Sequence, residues 1–352
     1  MKILDLRSDT VTQPTTPMRR AMAAAEVGDD FYRDDPTVVA LEEKAAALLR
    51  KPAAMLVLSG TMGNLVSLLA ATSPGDAVLL ADNSHIYMNE AGGVAAVAGL
   101  LPILVSDPHG IHRADQVAGR QRSASVLSAP LSLVCIENTH NAGGGYCLDV
   151  QSTRAICEAA HAAGLKVHLD GARIFNAAVA LGTPASALVE HADSVTFCLT
   201  KGLACPAGSL VLGSRDFIER ARHCRQLLGG GMRQAGVLAA AGIVALDSMV
   251  DRLAEDHANA RRLAERLEES GFRLAFEVMT NMVFAESPPW IAAEELVARM
   301  QERGVRVNMP KAKRLRFVTH ADLSAADIED ACQRIRTIVT EASSPSRRAA
   351  AG

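Results

Sequence analysis

The sequence predicts an α/β protein: a large domain on a mostly parallel seven-stranded sheet, followed by a smaller C-terminal α/β domain. Three observations carry this. Seven apolar runs of strand length alternate with helical patterns between residues 55 and 212, as expected of strands covered on both faces by crossover helices. Polar, chemistry-bearing residues follow several of these runs directly, and open α/β sheets bind ligands at their strands' carboxyl ends. Near residue 250 the pattern changes to a charged amphipathic helix with shorter strand-like runs after it.

The first 35 residues are polar and turn-rich, with Pro14, Pro17 and Gly28, and read as an arm rather than a core element. Asp35-Pro36 opens a helix, because Asp caps well and Pro is tolerated at the first helical position. The strand candidates are Met55–Leu58, Ala77–Leu80, Leu101–Val105, Leu133–Ile136, Lys166–Leu169, Val195–Leu199 and Ser209–Leu212. Ser152–Ala163 is a crossover helix closed by Gly164. Beyond 250, Asp251–Ser270 is an amphipathic helix; two strand-like runs and a helix from Ala292 to Arg303 follow. Val305–Asn308, Leu315–Thr319 and a final helix capped by Ser324, with Asp327 at the capping-box position, complete a meander-type unit. The expected domains are an arm packing with the small domain (1–26), a large domain (27–250), a small domain (251–342) and a disordered tail (343–352).

Composition limits the function classes. Apolar residues are 49% and charged ones 21%, as in an ordinary globular enzyme. A net charge of −3 without a basic stripe argues against nucleic acid. Seven cysteines, an odd number without a CxxC pair, fit reduced thiols. The start carries charges where a signal peptide needs an apolar core, and the uncharged run 91–105 is too short and too broken by glycine and proline to span a bilayer. The expected location is the cytoplasm. No histidine cluster of the HExxH kind points to a metal.

Two segments carry most of the chemistry: HLDGAR at 168–173 and Thr200-Lys201-Gly202, each following a strand-like run. An acid at one strand end and a lysine at a later one suit pyridoxal 5′-phosphate (PLP). Its pyridine nitrogen works best beside an aspartate, and its aldehyde takes a Schiff-base lysine. Lys201 and Asp170 are therefore the first candidates, with Arg173 able to anchor the cofactor or bridge to Asp170. The SGTMGN turn at 59–64 opens a helix, where Gly60, Thr61 and the first N–H groups suit an anion. His85 follows another strand end and could stack on a flat ring or move protons. In ENTHN at 137–141, polar residues crowd the end of an apolar run, with His140 among them. The glycine-rich loop 229–231 leads to Arg233, which could reach a phosphate in its own subunit or a neighbour's. Arg314 and Arg316 share one face of a short strand, and a guanidinium suits a substrate carboxylate.

These motifs, with the N-terminal segment Asp5–Thr12, resemble the low-specificity L-threonine aldolases, PLP enzymes of the aspartate-aminotransferase fold (fold type I), over nearly the whole chain. The resemblance implies retro-aldol cleavage of β-hydroxy-α-amino acids to glycine and an aldehyde. It makes Lys201 the Schiff-base lysine and Asp170 the pyridine-nitrogen partner. Arg173 would sit at the cofactor, His85 would stack on the ring, and Gly60 and Thr61 would hold the phosphate. Ser8 and Arg316 would bind the amino acid carboxylate, with His140 near the hydroxyl. Arg233 and Tyr32 would come from across a dimer interface of a homotetramer, a dimer of dimers with shared sites. The general base stays open among His140, His85 and a water they hold. The chain departs from the family pattern in three places: Arg33 follows Phe31-Tyr32 where the family commonly has glycine, Ala204 replaces glycine after the lysine, and the segment after ENTHN, Ala142 to Tyr146, is altered. Another PLP activity on the same scaffold, a non-catalytic binding protein and a nicotinamide dehydrogenase are the competing readings. The dehydrogenase lacks its GxGxxG fingerprint.

Overall fold

The computed structural model describes residues 1–120 and 125–343. Contacts divide the chain into a smaller unit, Met1–Thr12 with Arg252–Gly352, and a larger one, Gln13–Asp251. The chain opens with β1 (Leu4–Asp5) of the smaller unit.

The larger unit runs α1 (Thr16–Ala23), α2 (Pro36–Leu48), β2 (Ala53–Val57), α3 (Gly60–Ala71), β3 (Ala77–Ala81), α4 (His85–Met88), α5 (Gly93–Ala96) and β4 (Leu101–Val105). There follow β5 (Leu131–Glu137), α6 (Val150–Ala162), β6 (Lys166–Asp170), α7 (Ile174–Leu181), α8 (Ala185–Val189), β7 (Ser194–Cys198), β8 (Ser209–Gly213), α9 (Arg215–Leu227) and α10 (Gly236–Ser248). All seven expected strands form, and they pair in one seven-stranded sheet of order β2-β8-β7-β6-β5-β3-β4. Strands β7, β6, β5, β3 and β4 are parallel neighbours, and β8 runs antiparallel to both β7 and β2. Strand β2 therefore points the same way as β7, and six strand ends supply loops to one edge. Leu79, Val134, Val167, Val195 and Leu210 are fully buried, as strands covered on both faces require.

Capping fixes the helices where the sequence signals them. The Asp35 carboxylate accepts the Thr37 and Val38 N–H groups at 3.1 and 3.0 Å, and its other oxygen accepts the Gly236 N–H at 2.8 Å. One buried side chain thus caps α2 and meets the start of α10. A Cβ on Gly236 would come within 2.5 Å of that carboxylate, so glycine is required there. Losing such a cap typically costs about 1 kcal/mol.

The smaller unit adds α11 (Leu253–Glu269), β9 (Arg273–Leu274), β10 (Met282–Glu286), α12 (Ala293–Glu302), β11 (Val305–Arg306), β12 (Asn308–Lys311), β13 (Arg314–Val318) and α13 (Ala325–Ser343). The expected capping box forms: Ser324 Oγ accepts the Asp327 N–H at 3.2 Å, and the Asp327 carboxylate accepts the Ser324 N–H at 2.9 Å. The four-stranded sheet has the order β12-β13-β10-β9, so β10 pairs with β13 across an intervening helix instead of following a simple meander.

The N-terminal segment differs from expectation. It is not merely an arm, because β1 pairs in parallel with β11, and Leu4 and Leu6, alternating about Asp5, lie fully buried in the smaller unit's core. Two apolar residues in a polar stretch give too short a pattern to read as a strand. Residues 13–26 go with the larger unit, where α1 packs on α10 and Met18 is fully buried. Ser343 ends α13, and the rest of the expected tail lies outside the described residues. Among the described residues, all seven cysteines are unpaired and six are buried, and no helix is long and apolar enough to cross a membrane.

Two of the departures from the family pattern fall on left-handed backbone, Arg33 at φ 61° and Ala204 at φ 59°. That conformation costs an L-residue roughly 1–2 kcal/mol and explains a glycine at either place. The Arg33 side chain offers only an exposed ion pair to Glu219 at 3.0 Å in return, a contact of small value. Arg33→Gly should therefore stabilise the protein by about 0.5–1 kcal/mol. A denaturant midpoint that stays put or falls would show that Arg33 contributes more than this pair.

Candidate active site

Four adjacent parallel strands and the β2 turn deliver the site. Asp170 ends β6, Lys201 lies just past β7, Glu137 ends β5, and His85 begins the helix after β3. Gly60 and Thr61 open α3 after β2. Gly60, Thr61, Asn64, His85, Asp170 and Lys201 line one cavity of about 170 Å³, together with Glu90 and Cys198. The Gly60 turn is tight: a Cβ there would meet Cys198 Sγ at 2.6 Å. Ser59 caps α3 by accepting the Met62 N–H at 3.1 Å, leaving the helix start facing the cavity with the partial positive charge that suits an anion.

A continuous polar network underlies Asp170. His168 and Asp170 are two residues apart on β6 and so face the same side. His168 is completely buried, and that burial pulls its pKa down to about 4, so it is neutral. The Asn64 amide nitrogen donates to Asp170 Oδ2 and to Glu90 Oε1, both at 2.8 Å. Two carboxylate partners fix which end of the amide is nitrogen. Its oxygen then accepts from His168 Nε2 at 3.1 Å, and His168 Nδ1 accepts from the Ser194 hydroxyl at 2.9 Å. The other Asp170 oxygen accepts the Ala172 N–H at 3.0 Å.

His85 Nδ1 lies 2.8 Å from Glu90 Oε1. Burial alone would lower the His85 pKa. The Glu90 hydrogen bond and the charge of Asp170 outweigh burial and the opposing Lys201, so the shift is upward. Glu90 is raised as well, mainly by burial and then by Asp170, against the bonds from His85 and Asn64. Glu137 clamps two loops: one oxygen accepts the His85 N–H and the other the Asn141 N–H, each at 2.8 Å.

The remaining candidates are not among the residues lining this cavity. His140 is buried, its Nδ1 accepting the Gly143 N–H at 3.0 Å, so in the neutral ring Nε2 carries the proton. Arg173 is buried at the start of α7. Arg233 pairs with Asp29 at 3.2 Å, and its guanidinium sits 5.0 Å over the Phe31 ring, beside exposed Tyr32. A buried Arg225–Asp30 pair at 2.7 Å anchors that turn. In the smaller unit, Ser8 caps a short 3₁₀ turn by accepting the Thr10 N–H at 3.3 Å. Arg316 donates to the Arg7 carbonyl at 3.1 Å, while Arg314 pairs with Glu286 at 3.6 Å and lies over Phe276.

Sequence reasoning assigned no role to Asn64, Glu90, His168 or Glu137. Period-two spacing puts His168 on the Asp170 face, and Asn64 and Glu137 lie inside quoted motifs. Nothing in the sequence singles out Glu90.

The residues of this cavity fit PLP by their chemistry. An aspartate suits a pyridinium, an amine suits the aldehyde, a helix start suits the phosphate, and an imidazole suits a flat ring. The model for a family described as beta-eliminating lyase matches residues 5–287. Low-specificity L-threonine aldolase 1 of Arabidopsis thaliana is 42% identical, covering 99% of both chains. The low specificity L-threonine aldolase of Escherichia coli K12 is also 42% identical, over 96% of this chain and 99% of that one. A solved threonine aldolase of Leishmania major shares the fold at a TM-score of 0.83 and 20% identity, over 96% and 99%.

Proposed function

The chain belongs to the beta-eliminating lyase family, and from that premise we propose a PLP-dependent aldolase acting on L-threonine, L-allo-threonine and related β-hydroxy-α-amino acids. Its products are glycine and an aldehyde. One observation carries the reading: Lys201 and Asp170 line the same cavity, beside a helix start and an imidazole. When bound, PLP supplies a ring that delocalises the electron pair left at Cα as the Cα–Cβ bond breaks.

This chain's residues do the rest. Lys201 would supply the amine that holds the cofactor aldehyde. Asp170, its orientation fixed by Asn64 and Ala172, would hold a proton on the pyridine nitrogen. Gly60 and Thr61 would hold the phosphate at the start of α3, and Arg173 would sit at the cofactor. His85 would stack on the ring. Ser8 and Arg316 would take the substrate carboxylate and so orient the bond to be broken. His140, its Nδ1 already accepting a backbone N–H, lies near the hydroxyl as a donor. His85 or a held water then accepts the hydroxyl proton, help typically worth ~10²–10⁴-fold. Arg233 and Tyr32 complete a neighbour's site in a cytoplasmic homotetramer.

The test is acetaldehyde and glycine release from L-threonine and L-allo-threonine by PLP-loaded protein. Equal release of both products, faster for one isomer, is expected. Ammonia and a keto acid in their place would move the activity to β-elimination. Cofactor uptake without cleavage would move it to another substrate, with Arg33 the first residue to change.

A further inference from the structure

Glu90 is a nearly fully buried carboxylate with no part in the reaction above, yet it touches two groups that have one. A buried acid without partners would cost several kcal/mol, so the groups it bonds are what keep it there. Here its partners are the imidazole that lines the cavity and the amide that also serves Asp170. We propose that Glu90 is a positioning residue, which locks His85 as the Nδ1–H form and shares the Asn64 amide with Asp170. The proposal rests on the aldolase reading for its catalytic meaning but not for its geometry.

The hydrogen-bond roles follow from the donors available. Glu90 Oε1 accepts from Asn64 Nδ2 at 2.8 Å and faces His85 Nδ1 at the same distance. An oxygen already accepting one N–H meets the second nitrogen as an acceptor, so His85 Nδ1 carries hydrogen and Nε2 keeps its lone pair. Asn64 can play its part only because neutral His168 holds its carbonyl, which stops the amide from turning. The chain Ser194–His168–Asn64 therefore orients two carboxylates, one for the ring nitrogen and one for the histidine. His85 is pinned at its other end too, where its backbone N–H is held by Glu137.

The ionisable groups facing His85 are Glu90, Asp170, Glu137 and Lys201. Removing the Glu90 charge leaves Asp170 to favour imidazolium, with burial and Lys201 against it, so the His85 pKa must fall.

The experiment is ¹⁵N NMR of histidine-labelled, cofactor-free protein across pH, with the His85 signals assigned by their loss in His85→Asn. In the wild-type protein, neutral His85 should show the Nδ1–H tautomer. In Glu90→Gln, of nearly equal size, its titration should move to lower pH, while a filler role for Glu90 would leave it unchanged. A wild-type Nε2–H tautomer, or an unshifted titration in folded Glu90→Gln, overturns the proposal. If Glu90→Gln does not fold by circular dichroism, the wild-type tautomer decides alone. Adding PLP to the wild-type protein separates the two readings: absence of a visible cofactor band sinks the aldolase function, while the tautomer still judges Glu90.

Discussion

Lys201→Ala should abolish turnover, a loss of at least ~10³-fold in kcat, because it removes the amine that anchors the cofactor covalently. No other lysine of the larger unit is placed to substitute. Lys51 donates to the Glu190 and Ala192 carbonyls at 3.0 and 2.6 Å. Lys166 sits at the opposite end of β6 from Asp170 and bonds the Ala71 carbonyl at 3.1 Å. Lys44 is paired with Asp247. The local fold should survive, since the turn after β7 is held by backbone bonds, Ala204 N–H to the Lys201 carbonyl at 2.9 Å and Cys205 N–H to the Leu199 carbonyl at 3.0 Å. Borohydride reduction gives a second reading: it should fix PLP irreversibly to the wild-type protein and not to the variant. Turnover within tenfold of wild type, or a stable adduct in the variant, would remove Lys201 from its role.

The sheet was legible because buried parallel strands are continuous apolar runs, and all seven declare themselves by length, several also by the polar residues after them. Lys201 and Asp170 were legible for the same reason, as residue types that make chemical sense only at neighbouring strand ends. The network around Asp170 was not. Asn64, Glu90 and Asp170 lie far apart in sequence, and only the order β7-β6-β5-β3, with α3 laid across it, brings them within hydrogen-bond reach. The N-terminus misled because β1 is two residues long and draws its stability from a partner strand some 300 residues away in sequence. Arg33 and Ala204 were visible as departures, but their cost depends on a positive φ that no side-chain pattern encodes.

Asp170→Asn should cut kcat/KM by ~10²–10⁴-fold while leaving the lysine–cofactor bond in place. The change is isosteric but not neutral. Both carboxylate oxygens accept hydrogen bonds, one from Asn64 Nδ2 at 2.8 Å and one from the Ala172 N–H at 3.0 Å. An amide must turn its NH₂ toward one of these donors, so one bond is lost and a buried donor is left unpaired, a cost of roughly 1–3 kcal/mol in stability. The larger effect is chemical. The charge that keeps a proton on the pyridine nitrogen is gone, and each unit by which that nitrogen's pKa falls weakens the protonated form by about 1.4 kcal/mol. The borohydride adduct should therefore persist in Asp170→Asn and vanish in Lys201→Ala, which separates electron withdrawal from covalent anchoring in one assay. His85 offers an internal check, because Asp170 is among the charges that raise it, so its titration in the cofactor-free variant should also move to lower pH. Wild-type turnover in a folded Asp170→Asn protein would mean that the ring works without a protonated nitrogen here. The Asn64–Glu90–His85 side of the network would then have to carry the catalytic contribution assigned to Asp170.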